Sequence, residues 1–214
     1  MNCIVTAGPT CEPLDAVRRL TNFSTGRLGT ELANFLVARG HHVLLLLGEA
    51  ATYAGARHAQ QVQTFSTTAD LRLKLKSASA QPVDALFHAA AVSDFRFGRV
   101  FAPDAADRPV EIEAAKKISS RRGKLLVELL PTPKILAELR DWFPQTRIVG
   151  WKFEADGARA EALAAAKRQM AECRTDACVV NGPAYGAGFG LVQSRRVVHL
   201  ADQARLFVAL EKTI

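Results

Sequence analysis

The residue types that could do chemistry in this chain are those that gather anions, and four stretches carry them. Ala7-Gly8-Pro9-Thr10 precedes a polar segment with Glu12, Asp15, Arg18 and Arg19, and then comes Asn22-Phe23-Ser24-Thr25-Gly26-Arg27-Leu28-Gly29. Ser24, Thr25 and Gly26 stand where a helix begins. Unpaired N–H groups and the positive dipole end there favour an anion, Gly26 permits close backbone approach, and Arg27 adds a guanidinium. The plainer reading is a hydroxyl cap at Ser24 or Thr25, with Gly29 allowing tight helix-to-sheet packing.

The other three stretches lie later in the chain. His88-Ala89-Ala90-Ala91-Val92-Ser93-Asp94-Phe95 puts small side chains where a flat base or ribose can lie against backbone, with Asp94 placed to accept from hydroxyl or amino groups. Ordinary strand-end packing with a capping Asp would look the same. Lys116-Lys117-Ile118-Ser119-Ser120 supplies ammonium groups on a flap, a standard way to offset charge in phosphoryl or nucleotidyl transfer, although a solvated surface pair is the alternative. Gly150-Trp151-Lys152-Phe153-Glu154 joins an aromatic to a cation, and Lys167 lies on the helix that follows; Trp151 equally suits a core position with one edge at the surface.

Several other chemistries are excluded. A dinucleotide fingerprint should follow the first strand at once, whereas Gly26 lies well beyond it and Gly8 has no partner glycines. Tyr53 and Tyr185 are followed four positions later by Arg57 and Phe189, so a Tyr-x-x-x-Lys reductase pair is missing. There is no GxSxG elbow and no GxxxxGK[ST] loop. His88 has no second imidazole or paired carboxylate at ligand spacing, and His41-His42 open a strand, which argues against a permanent zinc site. Cys3, Cys11, Cys173 and Cys178 form no CxxC pair and read as small buried or loop thiols.

The elements that must position these residues alternate. Apolar or β-branched runs at Asn2–Thr6, Val43–Leu47, Gln61–Phe65, Asp84–Ala90, Arg147–Trp151 and Asp176–Val180 are separated by helix-period segments, the mark of βαβ units. The spacing predicts helices over Leu28–Arg39 with a Gly40 cap, Thr68–Ser79, Pro133–Trp142 with Pro133 at the first position, Ala158–Cys173 and Gln203–Lys212. Val92–Gly123 has no clean period and reads as a functional flap, and Gly182–Gly190 reads as a flexible loop before an antiparallel addition at Val197–Leu200. The expected fold is α/β: one Rossmann-like, doubly wound, mostly parallel sheet over residues 1–214, with an added antiparallel edge and a long flap. In such a sheet, ligands settle beyond the carboxyl ends of the strands, where all four stretches fall.

Composition agrees with small anionic ligands. The 214 residues are 49% hydrophobic and 23% charged, enough apolar content for a substantial core. The net charge of +7 is spread out, with no basic block of the kind a nucleic-acid tail shows. The longest apolar run, Val43–Leu47, is far short of the roughly 20 residues a membrane helix needs, and residues 1–6 lack the pattern of a signal peptide, so a cytoplasmic location is expected.

Taken together, AGPT at Ala7–Thr10, EPLDAVR at Glu12–Arg18, NFSTGRLG at Asn22–Gly29, HAAAVSDF at His88–Phe95, KKISS at Lys116–Ser120, PTPKIL at Pro131–Leu136, VGWKFEAD at Val149–Asp156 and DACVVN at Asp176–Asn181 resemble the phosphopantothenoylcysteine synthetase (phosphopantothenate–cysteine ligase) family, over nearly the whole chain. The resemblance implies a ligase of coenzyme A biosynthesis that activates 4′-phosphopantothenate with CTP or ATP as an acyl nucleotidate, which the amine of L-cysteine then displaces. By similarity, Asn22 would hold the carboxylate and the acyl nucleotidate, with Arg18 at the substrate side. Gly8 and Ser24, Thr25 and Gly26 would take the nucleotide, its triphosphate resting on the last three. Ala90, Ala91, Asp94 and the backbone of Trp151 would line the nucleoside pocket, and Lys117 would be the catalytic flap lysine. The resemblance also implies Mg²⁺ bound mainly through the phosphates, a homodimer whose flap covers the neighbour's site, and no FMN, since the flavin-dependent half of many bacterial versions is lacking here.

Two departures stand out. Where many bacterial relatives read KIKK, this chain has Lys117-Ile118-Ser119-Ser120, and their two phosphate lysines on the late helix shrink to Lys167 with Ala171 opposite, leaving Lys152 or Arg168 as the compensating cation. The base stays open between cytosine and adenine. Two other function classes compete: a non-catalytic nucleotide-binding module, given the thinned lysines, and an NAD(P)-dependent reductase, disfavoured by the missing fingerprint.

Overall fold

A computed structural model describes residues 1–113 and 117–214. In chain order the elements are β1 (Asn2–Ala7), β2 (Cys11–Pro13), β3 (Arg19–Thr21), α1 (Arg27–Ala38), β4 (His42–Gly48), β5 (Gln61–Phe65), α2 (Thr68–Ala78), β6 (Ala85–His88), β7 (Phe95–Pro103), β8 (Pro109–Ile112), a 3-10 turn (Ser120–Arg122), β9 (Leu126–Pro131), α3 (Ile135–Trp142), β10 (Arg147–Phe153), α4 (Arg159–Cys173), β11 (Ala177–Asn181), β12 (Phe189–Gln193), β13 (Arg196–Leu200) and α5 (Gln203–Glu211). Eight strands make the main sheet in the order β13-β12-β11-β10-β6-β1-β4-β5. From β5 to β11 the strands run parallel, and β12 and β13 are added antiparallel. The chain leaves β1 toward β4 and returns on the other side at β6, so the strand order reverses between β1 and β6 and opens a crevice there.

The central parallel strands are covered on both faces, which is why their sequences are largely apolar, whereas β5 at the edge is mostly exposed. Val5, Leu45, Phe87 and Val149 pack under α1 and α5, while Ile4, Leu46, Leu86 and Ile148 pack under α2 and α3. α4 covers Cys178 and Val180 of β11. Cys3, Cys173 and Cys178 are buried thiols, and Cys11 is half-buried. α1 lies unusually close to the sheet because it carries Gly29: a Cβ there would stand 2.6 Å from Ala7 Cβ and 3.0 Å from Thr6 O. Gly29→Val is therefore expected to lower stability by about 1–3 kcal/mol, read as a lower urea midpoint at unchanged slope. An unchanged midpoint would mean that α1 can stand off the strand freely.

The structure departs from the sequence reading in three places. Within Val92–Gly123 the expected unpatterned flap contains two strands: β7 pairs with β8 and with the following β9 in a separate antiparallel sheet, and Asp104 turns the β7–β8 hairpin by accepting from Ala106 and Arg108 N–H groups. Helix α3 starts at Ile135 with Lys134 at its cap, so Pro133 precedes the helix and does not occupy its first position. Gly182–Gly190 is a hydrogen-bonded turn that runs into the unforeseen strand β12 at Phe189, not a flexible loop: Ala184 N–H reaches Glu154 O at 3.1 Å and Tyr185 is 2% exposed in the core beside α4. No helix among the described residues is long and apolar enough to cross a membrane.

Candidate active site

Past the sheet, the loops after β1 and β6 stay side by side. Gly8 turns with φ 81°, its carbonyl accepts from Ala91 N–H at 3.0 Å, and Thr10 N–H donates to Ala91 O at 3.2 Å. The β2–β3 hairpin folds back over this pair through Thr21 Oγ1, which donates to Thr10 O at 2.9 Å. That delivers Asn22 to the crevice, where Nδ2 donates to Ala91 O at 3.3 Å and Val92 O at 3.1 Å. With both amide hydrogens committed to carbonyls, Asn22 presents its Oδ1 away from them, and an incoming carboxylate must take over an Nδ2 donor to be held by this residue.

The start of α1 meets the same loops. Gly26 caps the helix at φ 77° with no side-chain cap and no acidic residue in the first turn, so the positive end of the helix is not neutralised locally. Thr25 Oγ1 accepts only a long 3.3 Å bond from Arg27 N–H. A Cβ on Gly26 would lie 2.9 Å from Ala51 Cβ and 3.4 Å from Gly8 Cα, so the two glycines let these turns touch. Ser24 is half-buried and Thr25 exposed. The Arg27 guanidinium is turned sideways: Nε donates to Glu31 at 2.8 Å, and Glu31 also accepts from Tyr53 Oη at 2.9 Å and from Gln203 Nε2. Burial pushes the Glu31 carboxyl up, but the Gln203, Tyr53 and Arg27 donors together hold it below its ordinary value.

His88, at the end of β6, belongs to the scaffold. Thr6 Oγ1 lies 3.0 Å from its Nδ1 and accepts from Ala90 N–H at 3.0 Å, which orients the first residues of the β6 loop. Burial lowers the imidazole pKa from 6.5 to about 4. Since the folded value lies below the unfolded one, the neutral ring contributes its full stability above pH 6.5 and loses it as pH falls through 4, by about 3 kcal/mol in all. Urea unfolding at pH 7 and pH 4.5 should show His88→Asn losing less stability on acidification than the wild type. Equal losses would contradict the burial effect.

Ser93 N–H donates to Thr10 Oγ1 at 2.9 Å, and Thr132 N–H to Asp94 O at 3.0 Å, so backbone bonds hold Asp94 while its side chain is exposed. Gly150 pairs with His88 across the sheet, which brings Trp151 beside the β6 loop. The Trp151 ring packs with the α1–α5 layer, whereas Ala90 leans toward the α2–α3 layer. Trp151 O accepts from Gln169 Nε2 at 3.2 Å, and its buried indole Nε1 has no partner among the described residues. Lys152 pairs with Glu154 at 3.2 Å, and Lys167 is exposed on α4 with no contact to the crevice groups among the described residues.

Lys117 is exposed, and its neighbour Ile118 is tied by its backbone to Asp15 and Arg18 on the β2–β3 hairpin. Lys116 lies outside the described residues. Arg18 Nη1 thus bonds Asp15 and the Ile118 carbonyl, a protein partner at the place where similarity puts substrate. Glu12, from the same polar segment, is 6% exposed and accepts from Thr68 N–H at the start of α2 at 2.8 Å. The structure therefore gathers Gly8, Asn22, Gly26 and Ala91 directly and anchors Lys117 through the hairpin, while Lys152 and Lys167 stand apart. Asp15 is the residue that sequence reasoning had only counted among polar neighbours.

Among the described residues no three His, Cys, Asp or Glu side chains are grouped to hold a metal. A cleft of about 460 Å³ opens at the opposite, amino edge of the sheet, lined by Ile4, His42, Lys74 and Val83 among others. It contains none of the groups above, and it is the convergence of donors at the strand-order reversal, not cleft volume, that marks the candidate site.

Comparison with known proteins gives a consistent picture. A family model described as the DNA/pantothenate metabolism flavoprotein C-terminal domain matches residues 1–213. The chain is 31% identical over 179 residues to the coenzyme A biosynthesis bifunctional protein CoaBC of Thermococcus kodakarensis, covering 83% of this chain and 40% of that protein. It spans less than half the length of the curated relatives it matches first. In fold it is similar to the DNA/pantothenate metabolism flavoprotein of Streptococcus pneumoniae, with a TM-score of 0.85 at 22% identity over 100% of this chain and 97% of that one. A Cab2 variant solved in complex with phosphopantothenate-cysteine superposes with a TM-score of 0.73 at 20% identity over 99% of this chain and 86% of that one.

Proposed function

We propose, because the chain belongs to the family of the DNA/pantothenate metabolism flavoprotein C-terminal domain, that it is a cytoplasmic ligase joining 4′-phosphopantothenate to L-cysteine and that residues 1–214 act as one synthetase unit. A carboxylate oxygen of phosphopantothenate attacks the α-phosphorus of CTP or ATP, and the bond to pyrophosphate breaks. The cysteine amine then attacks the acyl carbon, the bond to the nucleoside monophosphate breaks, and the amine proton leaves as the amide forms.

The observation that carries this reading is the meeting of Asn22, Gly8, Ala91 and the uncapped start of α1 in one crevice. Anions brought together there repel, and fixed N–H groups with a nearby ammonium counter that repulsion without reorganising. Ser24, Thr25 and Gly26 receive the triphosphate, and Asn22 the carboxylate and the acyl nucleotidate. Ala90, Ala91, Asp94 and the Trp151 backbone bound the nucleoside, Gly8 makes room for it, and Lys117 supplies the flap charge. Lys152 and Lys167, which stand apart from these groups here, would have to reach the outer phosphates from the rim once the nucleotide is bound. Mg²⁺ would accompany the triphosphate as its counter-ion, held chiefly by phosphate oxygens, and would offset the charge that gathers as the carboxylate approaches. The sheet of β7, β8 and β9 carries exposed Phe95, Val110, Leu126 and Leu129, apolar surface suited to a second copy in a homodimer; a sedimentation mass of a single chain would overturn that.

Pyrophosphate release measured with CTP and with ATP tests the activity. Release is expected only when phosphopantothenate, Mg²⁺ and one of the nucleotides are all present, with the cysteine adduct forming once cysteine is added. Nucleotide binding without release from either would instead make the chain a binding module.

A further inference from the structure

The two oxygens of the Asp15 carboxylate have separate tasks. Oδ1 accepts from Val17 N–H at 2.9 Å and Arg18 N–H at 2.8 Å, a local turn inside the β2–β3 hairpin. Oδ2 reaches across the fold to Ile118 N–H at 3.0 Å and also takes Arg18 Nη1 at 2.7 Å. The same Nη1 donates to Ile118 O at 3.1 Å, so both peptide groups of Ile118 are held by one carboxylate–guanidinium pair. The Asp15 side chain has 0% exposure, and Ile118 is buried at 4% while Lys117 beside it is exposed. Burial pushes the Asp15 carboxyl up, but the Val17, Ile118 and Arg18 N–H groups and the Arg18 charge together hold it below its ordinary value. Such charge-assisted bonds are stronger and more directional than the contacts usual in an exposed loop.

We propose that Asp15 is a positioning residue: with Arg18 as its strut, it clasps the backbone of Ile118 so that the Lys117 ammonium works from a fixed anchor on the hairpin that carries Asn22. This rests on the ligase reading above, and it turns Arg18 from a direct substrate ligand into a strut for the lysine. The hairpin then links the two halves of the site. Asn22 follows β3 on one side, and Ile118 is bonded to the β2–β3 turn on the other.

Asp15→Asn separates the two tasks. Its Oδ1 can still accept from Val17 and Arg18, but its Nδ2 would set a donor against Ile118 N–H and Arg18 Nη1, leaving the Ile118 N–H unpaired and Arg18 Nη1 with the Ile118 carbonyl alone. Amide hydrogen exchange should then speed up at least tenfold at Ile118 and stay unchanged at Val17 and Arg18. The kcat for pyrophosphate release should fall roughly tenfold or more when Lys117 is present and show no further fall in a Lys117→Ala background. Equal losses in both backgrounds, or an Ile118 amide that stays protected, would overturn the clasp. Should Asp15→Asn fail to fold, Arg18→Gln removes the Nη1 bridge while the Asp15–Ile118 N–H bond remains, so it is read by kcat in the two Lys117 backgrounds: a fall only when Lys117 is present supports the clasp, and equal falls overturn it. A wild-type chain with no turnover would remove the ligase reading, while the exchange measurement would still decide whether Ile118 is clasped.

Discussion

Lys117→Ala is expected to lower kcat for pyrophosphate release by about 10²- to 10³-fold, or about 3–4 kcal/mol in barrier, with a far smaller change in nucleotide affinity. The reacting groups are a carboxylate and a polyphosphate, and charge gathers where they meet. An ammonium that reaches this point only as the bond forms strengthens the transition state more than the ground state, so the loss falls on kcat. Lys117 is exposed on a backbone anchored at Ile118, so its removal leaves the fold untouched. Single-turnover pyrophosphate release checks this. A Lys117→Ala enzyme with wild-type kcat would show that the charge is countered elsewhere, and Lys152→Ala would then be the variant to test.

Asn22→Asp carries the second large effect, again about 10²- to 10³-fold, this time in kcat/KM for phosphopantothenate. Nδ2 sits 3.3 Å from Ala91 O and 3.1 Å from Val92 O, so the replacement sets a carboxylate oxygen against two carbonyl oxygens and adds negative charge where anions gather. Because position 22 is exposed, the side chain can swing into solvent and the melting temperature should move little. Comparing kinetics with thermal unfolding separates the two effects: a parallel loss of stability would mean that Asn22 serves chiefly to hold the β6 loop. Asn22→Ser, which keeps a donor without the charge, should fall between wild type and Asn22→Asp.

The parallel part of the main sheet was legible because its central strands are buried on both faces, and Val43–Leu47 or Asp176–Val180 can hardly be anything else; β12, reached through the glycine-rich turn, was not. Its helices were legible to within a residue or two for the same reason, with caps such as Thr67, whose hydroxyl accepts from Asp70 N–H. β7 was illegible because its alternation is one-sided and diluted by exposed Phe95, Arg96 and Arg99, and a ribbon is fixed by its partner strand more than by its own pattern. β2 and β3, with three residues each, are too short to show any period. Of the site, the glycine turns and Asn22 could be picked out because their residue types are scarce and clustered. The Asp15–Ile118 bond joins positions 103 apart, and no local spacing announces it. Arg27 misled for a related reason: its engagement by Glu31 four residues on is an ordinary helix pair, and only Tyr53 and Gln203, brought in from elsewhere, lock it in place.

An enzyme that handles a free thiol in both substrate and product risks becoming joined to them through its own sulfurs. Exchange of that kind needs a thiolate. Burial raises the pKa of Cys3 to about 11 and that of Cys178 to about 12, and pushes Cys173 upward as well. At neutral pH only about one Cys3 in 10⁴ and one Cys178 in 10⁵ is then ionised, and strands and helices shield all three sulfurs. The core that supports the crevice is in this way inert toward the chemistry proposed to take place above it.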